Sequence, residues 1–431
     1  MSKIERPYIV VGVLMLVPAI IWMTLQPFGE RWSDAVMVLK SLSQLSGIFG
    51  LVLFSFTLML SARFPWMEKI MGPLNKVYTA HHTLGTAAFA MLLTHPIFAL
   101  VNAIVLQKPN LARYIIPGLD NALTWGILAL WTLIVLMVLT LYLRPRYPLW
   151  KKTHQFLGLS LFFAGLHSLF ITSDVSASPL LRWYLLSVAI FGIVSYTAYT
   201  LLNFVTVKRY AYVIDKIDRL SDAVISVHLK PGGQALVSQP GQFIFIRFKI
   251  EGKWSEIHPF SLTEKAGQQG LGVSMKVLGD DTARFMQALS VGVPAQIEGP
   301  FGTFGAEMEQ MPRLVCVAGG IGTTPFLALL PSLGEEQSVD VYYAIKNKPE
   351  SVYLPALRKL EENRKGLRII PWLSDDQGYL TADIIKQESS LTRDDHIFLC
   401  GPPGMMKSLK KRFIALGIPK EHLHSEEFSF E

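Results

Sequence analysis

Cysteine is nearly absent from this chain of 431 residues, occurring only as Cys316 and Cys400. Two thiols cannot furnish the four ligands of an iron–sulfur cluster or of a structural zinc site, and they give no disulfide framework. Also lacking is a basic stripe interleaved with aromatics, the pattern of single-strand nucleic-acid binders, so the formal charge of +7 implies no nucleic-acid partner. The first apolar run is followed by no small-residue cleavage site and has further apolar runs behind it. It is therefore expected to be a retained helix and not a signal peptide.

What is present is hydrophobic, at 51% of residues, and unevenly placed. Apolar runs at 8–25, 42–62, 80–106, 122–143, 154–172 and 182–205 each approach the roughly 20 residues that a spanning helix needs. Residues 1–206 are accordingly expected to form a six-helix transmembrane domain. With the N-terminus inside, the inner segments hold Lys3, Arg6, Arg63, Lys69, Lys76, Arg144, Arg146, Lys151, Lys152, Lys208 and Arg209. Outside are Arg31, Lys40, Lys108, Arg113 and Arg182. This excess places the soluble half in the cytoplasm, as for a multi-pass protein of a bacterial inner membrane.

Two apolar segments repeat one pattern: His81-His82-Thr83-Leu84-Gly85 followed by His95, and His154-Gln155-Phe156-Leu157-Gly158 followed by His167. Intramembrane histidines are costly and are functional by default, and neutral imidazole is a standard axial ligand of haem iron. Taken singly, each could be a helix-packing or interfacial group; four in a repeated arrangement point to two haems, ligated by His81, His95, His154 and His167. The repeat aligns His81 with His154, which leaves His82 for the interface. From His81 to His95 an ideal helix turns to within about 40° of whole turns and rises about 21 Å, so both rings share a face. From His154 to His167 the spacing misses by about 140°. That helix must bend, wind differently near Gly158 or Gly165, or use different rotamers. Antiparallel alternation of the spans sets His81 level with His154 near the cytoplasm, and His95 level with His167 near the outer face.

After Arg209 come short β-rich runs at Tyr210–Ile214, Val224–Leu229, Gln242–Phe248, Leu271–Val277 and Ala295–Glu298, separated by Gly, Pro and polar turns. They predict an antiparallel barrel over 207–310. From Pro312 the rhythm is strand, Gly-rich turn, helix. Strands are expected at Leu314–Ala318, Val339–Ile345, Leu367–Leu373 and His396–Cys400, with helices near Pro325–Leu330, Pro355–Arg364 and Gly404–Leu416. An α/β Rossmann-like domain over 311–431 follows, its ligands at the carboxyl ends of the strands. Its first turn, Gly319-Gly320-Ile321-Gly322-Thr323-Thr324-Pro325, is either a nucleotide loop or an ordinary tight turn. Thr324 is expected to cap the helix that follows. Lys346 and Lys348 follow the second strand, where an acidic residue would bind the ribose hydroxyls of NADH. They are solvated loop charges or a site for the 2′-phosphate of NADPH, with dual use of NADH.

Further motifs stand in order along this half: His258-Pro259-Phe260-Ser261-Leu262-Thr263, then Lys276 with Gly279-Asp280-Asp281-Thr282, Glu298-Gly299-Pro300-Phe301-Gly302, Cys400-Gly401-Pro402-Pro403-Gly404-Met405 and a terminal Phe428-Ser429-Phe430-Glu431. On these the half resembles the ferredoxin–NADP reductase superfamily. With the histidine-bearing half, nearly the whole chain resembles the ferric reductase and NADPH oxidase family, most closely its short bacterial members. The resemblance implies an FAD contacted by His258, Pro259, Phe260, Ser261 and Thr263, with Lys276 and Thr282 in the following flavin segment. It implies a nicotinamide nucleotide held by Gly319, Gly320, Gly322, Thr323, Gly401 and Pro402 and oriented by Cys400. A terminal aromatic, Phe430 in preference to Phe428, would cover the flavin until nicotinamide displaces it.

The expected activity is transmembrane electron transfer from NADPH through FAD and two b-type haems. Flavin stores a hydride pair and releases it singly, as haem requires. Oxygen, giving superoxide, is the expected acceptor; a ferric chelate is the alternative, or a periplasmic enzyme for which this chain is the electron-feeding subunit. A non-enzymatic redox sensor is the remaining class, against which the full motif set speaks. Eukaryotic oxidases carry a further histidine four residues after the outer ligand, and here that position is Ala99. Neither a calcium-binding extension nor a long regulatory insertion is visible, so activity without a cytosolic activator is expected.

Overall fold

Where water is scarce, backbone N–H and C=O groups must satisfy one another within a segment, which apolar sequence does by forming helices. The computed structural model describes residues 6–62, 67, 70–143, 145, 147–200, 202, 207–264 and 270–426. The chain divides into two compact units, Met1–Val207 and Lys208–Glu431. The first contains α1 (Arg6–Thr24), α2 (Ala35–Leu60), α3 (Leu74–Val105), α4 (Asn121–Val138), α5 (Tyr147–Gln155), α6 (Leu157–Phe170) and α7 (Pro179–Thr200). Asp34 and Asp120 start α2 and α4, their carboxylates accepting from Met37 N–H at 3.0 Å and Leu123 N–H at 2.9 Å, which satisfies amides that have no partner within the helix.

Among the described residues five helices are long and apolar enough to cross a membrane: α1, α2, α3, α4 with the turn that extends it to Leu143, and α7. The sixth span expected over 154–172 is divided. α5 ends at Gln155, Phe156 stands between at φ −66° and ψ −7°, and α6 closes at Phe170. At the break Phe156 N–H donates to Thr153 at 3.1 Å and Leu159 N–H to Phe156 at 2.9 Å. Such i to i+3 bonds wind the chain by about 120° per residue instead of 100°, which supplies part of the rotation that the His154–His167 spacing lacks.

Helix α2 is apolar on nearly every face and is enclosed by α1, α3 and α7, as the absence of a polar face requires. Its buried Ser55 and Thr57 hydroxyls donate back to the Leu51 and Leu53 carbonyls at 2.8 and 2.7 Å, so these two need no partner outside the helix.

The second unit has two sheets. The first is antiparallel, from β1 (Arg209–Ser221), β2 (Val224–Pro231), β3 (Phe243–Ile250), β4 (Lys253–Trp254), β5 (His258–Ser261), β6 (Leu271–Lys276) and β7 (Pro294–Phe301), with α8 (Asp280–Ala288) between the last two. Its order is β4-β3-β7-β1-β2-β6, with β5 on β3. The expected barrel does not close. β5 is four residues long and is joined toward β6 by a single bridge, Leu262 to Val273. Alternating apolar residues such as Ile214, Val227, Phe248, Val273 and Ile297 fill its core.

The second sheet is parallel: β8 (Arg313–Gly319), β9 (Ser338–Ile345), β10 (Leu367–Leu373), β11 (His396–Cys400) and β12 (Leu423–Glu426), in the order β10-β9-β8-β11-β12. Helices α9 (Thr324–Leu329), α10 (Leu354–Glu362), α11 (Ala382–Glu388) and α12 (Pro403–Ala415) connect the strands. The order reverses between β8 and β11, and ligands of such sheets bind outside the carboxyl ends at that reversal.

Candidate functional site

Two imidazole pairs lie inside the helical unit. His81 of α3 faces His154 of α5 with ring centroids 6.2 Å apart, and His95 of α3 faces His167 of α6 at the same 6.2 Å. A transition metal bonded to one nitrogen of each of two opposed rings at about 2.0–2.1 Å sets the centroids about 6 Å apart. The exposed His82 takes no part in either pair.

Hydrogen bonds on the far side of each ring decide which nitrogen is free. His81 Nδ1 donates to the Thr57 carbonyl at 2.9 Å, His95 Nδ1 to the Ser43 carbonyl at 2.7 Å and His167 Nδ1 to the Ala122 carbonyl at 2.9 Å. A carbonyl only accepts, so Nδ1 carries the proton and a neutral ring presents its lone pair at Nε2. This is the outer-shell arrangement that orients metal-binding histidines. His154 is held less directly, with Nδ1 3.5 Å from the Thr140 hydroxyl and its ring stacked on Trp150 at 5.2 Å.

Two glycines make the outer pair possible. A β-carbon at Gly47 of α2 would stand 2.8 Å from His95 Nδ1, and one at Gly126 of α4 would stand 2.9 Å from His167 Nδ1. Between these rings lies an apolar cavity lined by Phe54, Leu92, Ala99, Leu123, Leu130 and Ala164, with Tyr114 at its wall. A planar, largely apolar macrocycle with two axial imidazoles fits this donor set. Among the described residues no group of three or more His, Cys, Asp or Glu side chains could hold a metal ion. Sequence reasoning found the histidines but missed Gly47, Gly126 and the accepting carbonyls, because each meets a ring contributed by another helix.

In the second unit the chain ends of β8 and β11 meet at glycines. A β-carbon at Gly319 would lie 2.7 Å from both Met405 and Pro402, and one at Gly401 would lie 3.0 Å from the Gly319 backbone. One at Gly322 would strike the Cys400 carbonyl, and Gly320 has φ +55°. Glycine at 319, 322 and 401 thus lets the ends of β8 and β11 pack closely, while Gly320, with nothing within 4 Å of the β-carbon it lacks, leaves open space at the reversal point, where a pyrophosphate needs close approach. Thr324 does not cap: its hydroxyl donates back to Ile321 at 3.0 Å, and Thr323 to Gly320 at 2.9 Å. Lys346 and Lys348 are exposed just after β9.

The Cys400 side chain is fully buried, and Glu426 is its register partner on β12. Burial, and secondarily the Glu426 carboxylate, push the thiol well above its ordinary range, so it stays protonated and uncharged. Glu426 itself escaped the sequence reading because no local pattern marks it. Of the flavin motif, Ser261 is buried, Phe260 packs partly against the sheet core, and Thr263 N–H donates to Gly272 at 2.9 Å. Pro259 pairs with Phe245. The His258 ring packs edge-on against Phe285, with Nε2 3.2 Å from Asp281. Thr282 accepts from Leu278 and Gly279 N–H at 2.9 and 3.1 Å, starting α8. Lys276 lies 3.4 Å from Glu350. Phe428 and Phe430 lie outside the described residues.

The family of ferric reductase like transmembrane components matches residues 46–165, the FAD-binding domain 209–320 and the oxidoreductase NAD-binding domain 316–411. A flavohemoprotein of Bacillus cereus is 26% identical over 251 residues, 52% of this chain and 60% of that protein. NADH-cytochrome b5 reductase 1 of Aspergillus terreus is 27% identical over 201 residues, 42% of this chain and 68% of that protein. The chain thus spans about 60% of the length of the flavohemoproteins it matches. A flavohemoglobin of Malassezia yamatoensis, solved with FAD and heme, shares the fold at 18% identity and TM-score 0.52, over 91% of this chain and 96% of that one. The chain has the ferric reductase and NADPH oxidase-like architecture, a ferric-reductase-like transmembrane component followed by a ferredoxin–NADP reductase-like FAD and NAD half.

Proposed function

We propose that this chain is a membrane oxidoreductase that moves electrons from cytosolic NADPH to oxygen on the far side, releasing superoxide. The observation that carries the reading is the pair of imidazole pairs, each with the spacing of an axially ligated iron and three of the four rings fastened at Nδ1 by a carbonyl. On this reading His81 and His154 hold the inner haem, and His95 and His167 the outer one. The FAD is held by the His258–Thr263 segment with Thr282, and the nucleotide by Gly319, Gly320, Gly322, Thr323, Gly401 and Pro402. When bound, FAD would supply the exchange of a hydride pair for single electrons, and haem at the two histidine pairs would supply one-electron transfer.

The protein's own part is positional. His81 with His154, and His95 with His167, would each hold a haem from both sides, and a haem so held would supply outer-sphere electron transfer in preference to binding oxygen at the metal. The apolar lining around His95 and His167 keeps water from the outer site. Cys400, neutral and buried at the carboxyl end of β11, would orient the nicotinamide by backing the Gly401–Pro402 turn. Lys346 and Lys348 supply positive charge at the adenosine end for a 2′-phosphate, and the terminal Phe430 is the aromatic that nicotinamide displaces.

A ferric chelate is the second reading of the acceptor. It is favoured by the match of residues 46–165 to ferric reductase like components and by the small Ala99 on the outer cavity wall. Purified protein should show two haems per chain, and His95→Ala one, with the flavin still bleached by NADPH. An unchanged haem-to-protein ratio in that variant refutes the ligand assignment. Superoxide-dismutase-sensitive and ferrous-trapping assays run side by side separate the two acceptors.

A further inference from the structure

Within the second unit, a short segment of the nucleotide half reaches across to the flavin sheet. After β9 the chain makes a single turn, Lys348–Glu350, before entering α10. Glu350 directs its carboxylate at the end of β6, with Oε2 3.4 Å from Lys276 Nζ. Three residues later Tyr353 is only 3% exposed, and its hydroxyl lies beside Ser274. Ser274 and Lys276 stand two apart on β6 and so project from the same face. The turn is braced from behind, because the Tyr343 hydroxyl donates to the Glu350 carbonyl at 3.1 Å. Val224, the register partner of Lys276, is buried in the same apolar cluster as Tyr353.

We infer that Glu350, Tyr353 and Lys276 form a clasp that positions the nucleotide half on the flavin sheet, and that Lys276 serves this contact instead of binding the flavin. The inference rests on the reading that NADPH reduces a flavin held by this half. Lys276 and Glu350 are 27% and 40% exposed, and pairs so open to water contribute little to stability. Tyr353 supplies the packing; the ion pair fixes orientation, as charges at contacts generally do. Orientation matters here because hydride transfer requires the reacting atoms to approach within about 3–3.5 Å, and a displacement of about 1 Å can cost roughly 100-fold. Lys276 and Glu350 are therefore positioning residues, whose loss appears in the rate of flavin reduction and not in flavin content.

The test uses the full-length protein with Lys276→Glu, Glu350→Lys and the double exchange. Flavin bleaching by NADPH is followed anaerobically by stopped flow, and FAD per chain is measured after denaturation. Each single variant should keep its FAD and lose between about 10- and 100-fold in the limiting rate. The double exchange, which restores opposite charges in reversed order, should recover most of that loss. FAD lost in Lys276→Glu and not regained in the double exchange would make Lys276 a flavin ligand and overturn the clasp. Single variants as fast as the parent overturn it equally. A parent protein whose flavin NADPH does not bleach overturns the underlying reading, an outcome distinct from the other two.

Discussion

Substituting alanine at Gly47 adds one methyl group where the outer imidazole sits. The new β-carbon would lie 2.8 Å from His95 Nδ1 and 3.0 Å from Cε1, whereas unstrained carbon contacts lie at about 3.5–4.0 Å. The ring must therefore retreat by about 0.7 Å, on the side where Nδ1 donates to the Ser43 carbonyl at 2.7 Å. Losing such an outer partner typically lowers metal affinity about 10- to 100-fold. Overpacking costs about 1–3 kcal/mol, partly offset by the roughly 0.8–1.0 kcal/mol by which alanine exceeds glycine in helices, so the chain still folds. Haem per chain, measured by extraction into pyridine, should fall from two toward one, while the signal assigned to the inner site persists. Gly126→Ala, whose β-carbon would stand 2.9 Å from His167 Nδ1, should do the same from the opposite wall. Gly85→Ala is the control, since its nearest neighbour is Thr57 Cγ2 at 3.4 Å. Two full haems with an unaltered spectrum in both Gly47→Ala and Gly126→Ala would refute the claim that these rings are fixed as ligands.

Removing both Lys346 and Lys348 as alanines should raise KM for NADPH about tenfold or more, the scale of a lost hydrogen bond to a charged group, and leave KM for NADH within about twofold. Equal shifts for the two nucleotides would count against a 2′-phosphate site. A pH effect is expected at the β11–β12 edge, where His396 Nδ1 lies 3.0 Å from His424 Nε2 and the His396 ring stacks on His422 at 4.1 Å. Burial first, and then His396, hold His424 down at about 4 instead of its ordinary 6.5. The unfolded chain therefore binds the proton that the folded chain refuses between those values, and stability falls as pH drops from about 6.5 toward 4. Protection factors of the β11 and β12 amides, taken against the intrinsic exchange rate at each pH, should fall across that window and much less so in His424→Gln; constant protection in the parent would contradict the linkage.

What could be read in advance was whatever local chemistry writes along the chain. Apolar length marked five of the six expected spans among the described residues, the β and α rhythm marked the parallel sheet, and the histidines stood out because imidazole is costly in hydrocarbon. Closure of the flavin sheet was not legible, since it depends on whether β5 finds a second ladder at β6, and alternation within a strand says nothing about its far edge. The division at Phe156 was signalled only as a shortage of rotation between His154 and His167. Gly47 and Gly126 looked like ordinary helix glycines because their meaning lies in a ring contributed by another helix. Glu426 and the clasp at Glu350 and Tyr353 likewise acquire their roles only from partners on other strands.

The outer site also explains why glycine, and not another small residue, occupies these two positions. In α2 the Ser43 carbonyl and Gly47 are four residues apart, as are the Ala122 carbonyl and Gly126 in α4. Side chains lean toward the helix N-terminus, so a β-carbon at i+4 stands over the turn that contains the carbonyl of residue i. Omitting it opens that carbonyl, already an acceptor within the helix, to a second donor from outside, and its two lone pairs allow both bonds. Each outer histidine therefore docks onto a bare helical turn of a neighbouring helix, and the same device serves His95 on α2 and His167 on α4. The inner pair lacks this symmetry: His81 has the Thr57 carbonyl, while His154 has the Thr140 hydroxyl at 3.5 Å and the Trp150 ring. A ring fixed by stacking and a long contact retains freedom that a carbonyl-fastened ring does not, and it belongs to the short α5, just before the break at Phe156. The outer pair is thus the rigid member of the two. Its rigidity is written into α2 and α4, two helices that carry none of the four paired histidines.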